Sequence, residues 1–307
     1  MPPIVIRFGG YQAPDSVHNQ AAALFGRRLK EKLGDRIRFE LIGSVLDLGR
    51  PSGDLVPMVE RGELSFCYMS TVRFSGPVPE LQLFELPFVV KDRRIAWKAL
   101  DGEFGAHLGQ RIAATSNCRV MGFWDYGFRH LTCSVRQIRK PADCVGLRIR
   151  TQMSPLHGEV FRALGFEPIA SDIKEFTEQI ATDRFQAHDN ALTNIYIFHV
   201  YRYHRYISLT GHFWGASAMV CNQDHYRSWP QDVREAMEDA AKEATELQRR
   251  LAVAEDTEVL KKLPRENEVA RLGDAEHAAF VRAVEPVLAK YRNQLDPKLF
   301  AYLEGRE

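Results

Sequence analysis

The sequence has no long apolar run and almost no net charge. No stretch approaches the roughly 18 consecutive apolar residues that a membrane-spanning helix needs. The 41 basic and 40 acidic residues leave a formal net charge of +1. No global basic field therefore predicts binding to nucleic acid or to an anionic membrane surface. Any attraction for an anion must come from a few locally placed groups.

The sequence also lacks the motifs of several common sites. Its five cysteines form no C-x-x-C pair, which favours buried free thiols. The ten histidines are scattered without H-E-x-x-H, so we expect no metal site. No G-x-G-x-x-G, Walker P-loop or G-x-S-x-G motif is present, so we expect no nucleotide cofactor and no hydrolase chemistry. A Cys–His nucleophile stays open, because such partners can be distant in the chain.

The N-terminus shows no basic segment followed by an apolar stretch. Met1-Pro2-Pro3-Ile4-Val5-Ile6 leads directly into a predicted strand, so these residues contain no secretory signal. We therefore expect either a cytoplasmic chain or one from which a signal has been removed.

Length and hydrophobic periodicity predict an α/β fold with two lobes. The 307 residues and 45% hydrophobic content fit two lobes or one large domain. Short strand-like runs alternate with amphipathic helices, including one predicted from Asp92 to Gly109, as in a parallel sheet covered on both faces. The pattern starts again after Arg129, which indicates a second lobe. Residues 204–210 and 217–222 look like two strands, separated by Gly211–Gly215, that return the chain to the first lobe.

The longest predicted element is a helix at about residues 229–263, which has apolar residues at helical spacing and no break before Pro264. At 1.5 Å per residue it would span roughly 50 Å, so we expect it to brace both lobes. The predicted domains are lobe I, residues 1–124 with 211–250, and lobe II, residues 125–210 with 251–307.

Arg129 and Arg150 are the strongest candidates for an anion site. Each lies beside short apolar runs, and the planar fork of arginine can grip a carboxylate through two parallel hydrogen bonds. Alone, an arginine at a strand end such as Arg150 is more often part of a surface salt bridge. Asn190, which follows the strand-like run 185–188, either caps the next helix or binds a ligand.

Other residues are candidates for the wall of a binding pocket. Phe213 and Trp214 lie between glycines and are either core residues or a stacking wall over a ligand. Ser70 follows the third predicted strand, and ligands of parallel sheets bind at the carboxyl ends of strands. We therefore expect Ser70 at the edge of a cleft.

A series of short motifs runs nearly end to end along the chain. They are Glu85-Leu86-Pro87-Phe88, Ala96-Trp97-Lys98-x-Leu100-Asp101-Gly102, Gly122–Thr132, Gly146–Arg150, Ala163-Leu164-Gly165, Asp189-Asn190 and Leu209–His212. In their order and spacing, the chain resembles the extracytoplasmic solute-receptor subunits of the tripartite ATP-independent periplasmic (TRAP) transporters.

The resemblance implies a two-lobed periplasmic-binding-protein fold, class II-like, that binds a small organic or sugar acid without transforming it. Arg150 matches the family's signature arginine, which forms a salt bridge to the ligand carboxylate. Arg129 matches a supporting arginine, and Asn190 matches an asparagine that bonds the same group. Residues at ligand-specific pocket walls are Ser70, Ile173, Phe213 and Trp214.

The resemblance also implies hinge closure around the solute, delivery to TRAP membrane subunits and a periplasmic location. We expect a monomer with no cofactor. The alternatives are a ligand sensor that presents its closed form to a signalling receptor and, with less support, an enzyme of bilobed fold. The family commonly reads Asp-Gly-Gln-Glu-Asn-Pro where this chain has residues 186–191, Gln-Ala-His-Asp-Asn-Ala. The asparagine is retained but the residues before it differ, which leaves the identity of the solute open.

Overall fold

The computed structural model describes residues 2–304, and its chain divides into two compact units. Unit 1 comprises Met1–Val78, Leu100–Asp125 and Ala216–Ala254. Unit 2 comprises Pro79–Ala99, Tyr126–Gly215 and Glu255–Glu307. The chain therefore passes from one unit to the other five times, after residues 78, 99, 125, 215 and 254.

The described residues contain nine β-strands. They are β1 (Ile4–Gly9), β2 (Ile37–Ile42), β3 (Phe66–Ser70), β4 (Cys118–Cys133), β5 (Arg148–Thr151), β6 (Glu167–Ala170), β7 (Ala187–Ala191), β8 (Tyr206–Asn222) and β9 (Glu268–Arg271). Strands β4 and β8 each continue from one unit into the other.

The same part of the chain contains eleven α-helices. They are α1 (Val17–Leu33), α2 (Leu55–Glu60), α3 (Arg93–Asp101), α4 (Glu103–Thr115), α5 (Pro155–Ala163), α6 (Ile173–Gln179), α7 (Leu192–Ile197), α8 (Gln223–Ser228), α9 (Gln231–Lys262), α10 (Asp274–Arg292) and α11 (Pro297–Glu304). Short 3-10 helices occupy Gly34–Arg36, Val45–Leu48, Ser52–Asp54, Thr71–Arg73, Pro79–Glu85, Pro141–Cys144 and Val200–Arg202.

The strands of unit 1 follow the predicted parallel pattern. β1 pairs in parallel with both β2 and β3, and β3 pairs antiparallel with residues 217–221 of β8. An aromatic cluster fills the core here. The Phe8 ring stacks on the rings of Phe66 and Trp124, with centroids 5.9 and 6.4 Å apart. Offset aromatic pairs of this kind add to the stabilisation from burial alone.

The strands of unit 2 repeat the pattern. β5 lies between β6 and β7 and pairs in parallel with both, while β7 pairs antiparallel with residues 129–133 of β4. β9 pairs in parallel with the first residues of β8. Because parallel strands end at the same edge of a sheet, β5 and β7 bring Arg150 and Asn190 to neighbouring strand ends.

The long helix was predicted correctly, and α9 runs over 32 residues. In unit 1 it is fixed to β4. The indole Nε1 of Trp124 donates to the Thr245 hydroxyl at 3.0 Å, and the Gln248 amide bonds both the backbone N–H and the carbonyl of Asp125, at 2.8 and 2.6 Å. Its last turns, from Glu255, belong to unit 2. That the helix braces both lobes stays a prediction.

Two predicted elements differ from the structure. The helix expected over 92–109 is two helices, because the chain turns sharply at Gly102; a Cβ on Gly105 would lie 1.8 Å from the Leu100 carbonyl oxygen. The two strands expected at 204–210 and 217–222 are one, since β8 runs through Gly211 with the positive φ of 56° that glycine tolerates.

The division of the chain also differs from the expected lobes. Residues 79–99 were expected in lobe I but lie in unit 2, where the Phe88 N–H donates to the His212 carbonyl and Arg93 forms an ion pair with Asp256. The last return to unit 1 comes after Gly215, not after residue 210. Gly215 belongs to unit 2, where a Cβ on it would lie 2.9 Å from the Tyr126 Cβ.

Candidate functional site

Arg150 lies at the end of β5 with a guanidinium that is almost fully buried. Only 5% of the residue is exposed, so it is not a surface salt bridge. Its Nε and Nη2 both donate to the Ser171 carbonyl, at 3.1 and 2.7 Å. The guanidinium carbon lies 5.7 Å from the ring centroid of Phe176 in α6. The Ser171 carbonyl oxygen and the Phe176 ring therefore help to orient this cation.

His188 and Asn190 lie on the strand next to Arg150. His188 is the register partner of Arg150 in the β5–β7 pairing, and Asn190 is two residues further along β7. Residues two apart on a strand share a face, so the three side chains lie on one face of the sheet. The Asn190 amide nitrogen lies 3.4 Å from the His188 Nε2. His188 stacks on Phe176, with ring centroids 4.3 Å apart.

Arg129 makes a buried ion pair with Asp189, which the sequence analysis did not foresee. Its Nε donates to the Asp189 carboxylate at 2.6 Å and its Nη2 to the Asp189 carbonyl at 2.7 Å. Its Nη1 donates to the side-chain oxygen of Asn190 at 3.1 Å. Arg129 pairs with Ala191 in the sheet, which places it on the face opposite Arg150. The two arginines therefore have different surroundings.

The Asn190 amide has a fixed orientation. Its oxygen accepts hydrogen bonds from Arg129, from the Ala191 N–H at 3.0 Å and from Asn194 at 3.0 Å. Because three donors already occupy the oxygen, the amide nitrogen is the end that can bond further groups. That end is a hydrogen-bond donor, as an anion requires.

Electrostatics in this cluster favour a charged Asp189 and neutral histidines. Burial alone would raise the pKa of Asp189, but the charge and the hydrogen bond of Arg129, with the nearby His212 ring, hold it well below its usual value. Burial lowers the pKa of His188, and the charge of Arg150 lowers it further. Burial also lowers the pKa of His212, whose Nε2 lies 3.6 Å from Asp189.

The predicted wall residues lie in different places. Ser70 ends β3 in unit 1, whereas Ile173 begins α6 in unit 2, and both are buried. Phe213 and Trp214 are consecutive in β8, so they point to opposite faces. Phe213 stacks on His157 with centroids 4.4 Å apart, and Trp214 meets Phe84 edge-on at 5.7 Å. The two rings therefore do not form one continuous wall, and the role of each of the four residues stays a prediction.

Sequence reasoning missed a second polar cluster in unit 2, around His157 in the first turn of α5. Ser154 caps this helix, and its hydroxyl donates to the buried Glu85 carboxylate at 2.8 Å. His157 Nε2 lies 3.6 Å from the same carboxylate. Glu85 belongs to a motif that the sequence analysis used only for family resemblance. Nothing in the sequence distinguishes His157 from a histidine that simply packs in the core.

The five thiols are free, as the sequence analysis expected. All five cysteines are free and buried, and burial raises the pKa of Cys118 to about 12. Among residues 2–304, no three His, Cys, Asp or Glu side chains are grouped so that they could hold a metal ion. In the same range, no helix combines the length and apolar character that crossing a bilayer requires.

Comparison with known proteins gives a consistent result. The family model described as "Bacterial extracellular solute-binding protein, family 7" (DctP) matches residues 8–294. An uncharacterised protein of Haemophilus influenzae is 30% identical over 85% of this chain and 78% of its own length. The 2,3-diketo-L-gulonate-binding periplasmic protein YiaO of Escherichia coli is 26% identical over 91% of this chain and 84% of its own.

A solved structure confirms the α/β fold. The sugar acid binding protein DctPAm of Advenella mimigardefordensis, crystallised with galactonate, superposes with a TM-score of 0.94. Each chain is covered completely, at 22% sequence identity. The family match also confirms the resemblance on which the sequence analysis relied. The chain therefore belongs to family 7 of the bacterial extracellular solute-binding proteins, the DctP family.

Proposed function

We propose that this protein binds a small organic or sugar acid through the carboxylate of the solute and releases it chemically unchanged. The family to which the chain belongs is one of solute-binding proteins rather than of enzymes. The observation that carries the proposal is the buried guanidinium of Arg150, held at the end of β5 beside the donor end of Asn190.

Arg150 is suited to be the main ligand of the carboxylate. A carboxylate matches the arginine fork in charge and geometry, and a buried site strengthens such charge-assisted hydrogen bonds. Near it, the hydroxyls of Thr151 and Ser171 are buried and find no hydrogen-bond partner within residues 2–304. Buried polar atoms of this kind favour a site that a polar solute completes.

Arg129 has a supporting role in this proposal. Its Nε and Nη2 already donate to Asp189, and its Nη1 already donates to Asn190. By donating to the Asn190 oxygen, Arg129 fixes the orientation of the amide, so that its nitrogen is the end that can donate a hydrogen bond. The solute carboxylate then receives hydrogen bonds from Arg150 and Asn190, while Arg129 orients Asn190. Ser70, Ile173, Phe213 and Trp214 remain proposed wall residues.

We further propose that the protein works in the periplasm and delivers its solute to the membrane subunits of a TRAP transporter. The family description, the periplasmic location of the E. coli relative and the motifs that run along the chain support this role. The relatives named above are described as binding proteins or are uncharacterised, and we find no observation that favours the sensor alternative.

Calorimetric titration with a panel of carboxylic acids tests the proposed site. Replacing Arg150 by alanine should weaken binding of any acid that the wild type binds by at least 100-fold, because two charge-assisted hydrogen bonds of about 1.5–3 kcal/mol each are lost. Arg148→Ala is the matched control. Arg148 lies on the same strand but bonds Asp183 near the surface, so its loss should leave the affinity within about twofold.

Two results would contradict the proposal. If Arg150→Ala retains wild-type affinity, the carboxylate is bound elsewhere. If the wild type binds no member of a panel that includes succinate, galactonate, erythronate and hexanoate, the proposed solute class is wrong. Circular dichroism of Arg150→Ala would show whether lost binding reflects lost folding.

A further inference from the structure

His157 is a buried histidine whose ring nitrogens have no hydrogen-bond partner. Only 2% of the residue is exposed, and among the described residues neither Nδ1 nor Nε2 makes a hydrogen bond. The Glu85 Oε2 lies 3.6 Å from Nε2, beyond hydrogen-bond length. A buried imidazole with two unsatisfied nitrogens costs free energy, so its position needs an explanation.

His157 lies close to the proposed carboxylate site. Its ring stacks on Phe213 with centroids 4.4 Å apart and 11° between the planes, which fixes the direction of both nitrogens. The same Phe213 ring meets His212 edge-on with centroids 4.8 Å apart, and the His212 Nε2 lies 3.6 Å from Asp189, the ion-pair partner of Arg129. The position of His157 in the first turn of α5, seven residues after Arg150, agrees with this proximity.

The protonation state of His157 limits what it can recognise. Burial, with the charges of Arg129 and Arg150 opposing Asp189, lowers its pKa to about 3, so the ring is neutral at pH 7. A neutral imidazole has one donor and one acceptor nitrogen. A second carboxylate, which only accepts, uses half of this capacity. A hydroxyl group, which both donates and accepts, matches it fully.

We propose that His157 contacts the bound solute and hydrogen-bonds a hydroxyl group that it carries, so that the protein prefers hydroxylated monocarboxylic acids to acids without hydroxyls. This inference rests on the proposed function, because it takes the carboxylate at Arg150 as given. In a site built to bind a hydroxyl, an analogue without it leaves buried polar groups unpaired.

Two matched pairs of probes test the inference by titration calorimetry at pH 7.5. Galactonate and hexanoate share a six-carbon monocarboxylate chain, and erythronate and butanoate a four-carbon one; within each pair only the hydroxyls differ. The wild type should bind the hydroxy acid of at least one pair at least tenfold more tightly. His157→Phe keeps the ring stack on Phe213 but removes both nitrogens, and it should reduce this preference at least fivefold.

Two further variants separate recognition from structural effects. His157→Gln restores a donor and an acceptor and should recover part of the preference. His204→Phe removes another buried histidine of unit 2, one whose Nδ1 bonds the Thr132 hydroxyl at 2.8 Å, and it should leave the preference unchanged. Thermal melting of each variant would identify any that fails to fold.

The outcomes distinguish this inference from the proposed function. If His157→Phe binds the hydroxy acids as the wild type does, or if the wild type prefers hexanoate, butanoate or succinate, His157 does not read a hydroxyl, although the carboxylate site stands. If the wild type binds none of these acids, the inference and the proposed function are both overturned. Lost preference in His157→Phe, with its recovery in His157→Gln, supports the inference.

Discussion

The Arg129 guanidinium donates to the Asp189 carboxylate at 2.6 Å, and both side chains are almost completely buried. The sequence alone presents Arg129 as a residue that grips a ligand. The structure gives its charge a partner within the protein, which divides the work of the two arginines. In the proposed function, Arg129 orients the strand end and Arg150 binds the carboxylate of the solute.

The first prediction concerns this ion pair. Arg129→Met should lower the free energy of unfolding by about 3–5 kcal/mol, because it leaves the Asp189 carboxylate buried without compensation. The measurement is urea unfolding at pH 7. Arg28→Met is the control, since Arg28 pairs with Glu243 in an exposed site, where an ion pair is worth about 0–1 kcal/mol. A loss below about 1 kcal/mol for Arg129→Met would contradict the importance of the pair.

The second prediction concerns pH. Burial lowers the pKa of seven histidines below the ordinary value of 6.5, namely His18, His130, His157, His188, His204, His212 and the partly buried His225. Because the unfolded chain then binds more protons below about pH 6.5, stability is complete above that pH and is lost as the pH falls toward 4. Below about pH 6.5, each histidine that stays neutral in the folded chain should lower the free energy of unfolding by about 1.4 kcal/mol per pH unit.

Urea unfolding at pH 7.5, 6.0 and 5.0 measures this effect. The midpoint should fall steadily across the series. At pH 6.0 the carboxylates are still ionised, so histidines account for the change. A midpoint that is constant between pH 7.5 and 5.0 would show that these histidines are not held neutral in the folded chain.

The third prediction compares two glycines with positive φ. Gly127 has φ 91°, and a Cβ there would lie 3.3 Å from the Asp256 carboxylate and 3.7 Å from the Ala191 Cβ. Gly146 has φ 75° and open space around its Cβ position. Gly146→Ala should therefore cost only the backbone strain, about 1–2 kcal/mol, whereas Gly127→Ala should cost more. Equal losses in thermal or urea unfolding would mean that the crowding is relieved without cost.

The fourth prediction concerns the attachment of α9 to β4. Gln248 is fully buried and bonds both backbone groups of Asp125, so Gln248→Leu should destabilise the protein by about 2–4 kcal/mol. Gln231→Leu, at the exposed start of the same helix, should change stability by less than about 0.5 kcal/mol. Urea unfolding of both variants measures the difference, and similar values for the two would disprove this role of Gln248.

The fold was largely predictable because its elements carry local signals. α1 shows this clearly: Ser16 accepts a hydrogen bond from the Asn19 N–H at its start, and Gly34 ends it with φ 57°. Residues 211–215 were mispredicted as a break between two strands, because their local signal does not match the folded chain. Their two glycines are typical of a loop, but β8 continues through both of them, with a positive φ at Gly211.

The site was less predictable because its partners are far apart in sequence. Arg150 was chosen through the family resemblance, because its position at a strand end alone favoured a surface salt bridge, and the structure buries it there. Arg129 bonds the carboxylate of Asp189, which is 60 residues away in sequence. Local periodicity does not predict which strands are neighbours in the sheet. His157 had no signal, since only its unpaired nitrogens single it out, and those require coordinates.

The interleaved course of the chain bears on how this protein is made. Unit 1 needs residues up to Ala254, and unit 2 needs residues from Pro79 onward. A ribosome that synthesises from the N-terminus cannot finish either hydrophobic core until most of the message has been translated. Both cores of the nascent polypeptide therefore stay incomplete for most of its synthesis, and a fragment that ends before Ala254 does not contain the whole of unit 1.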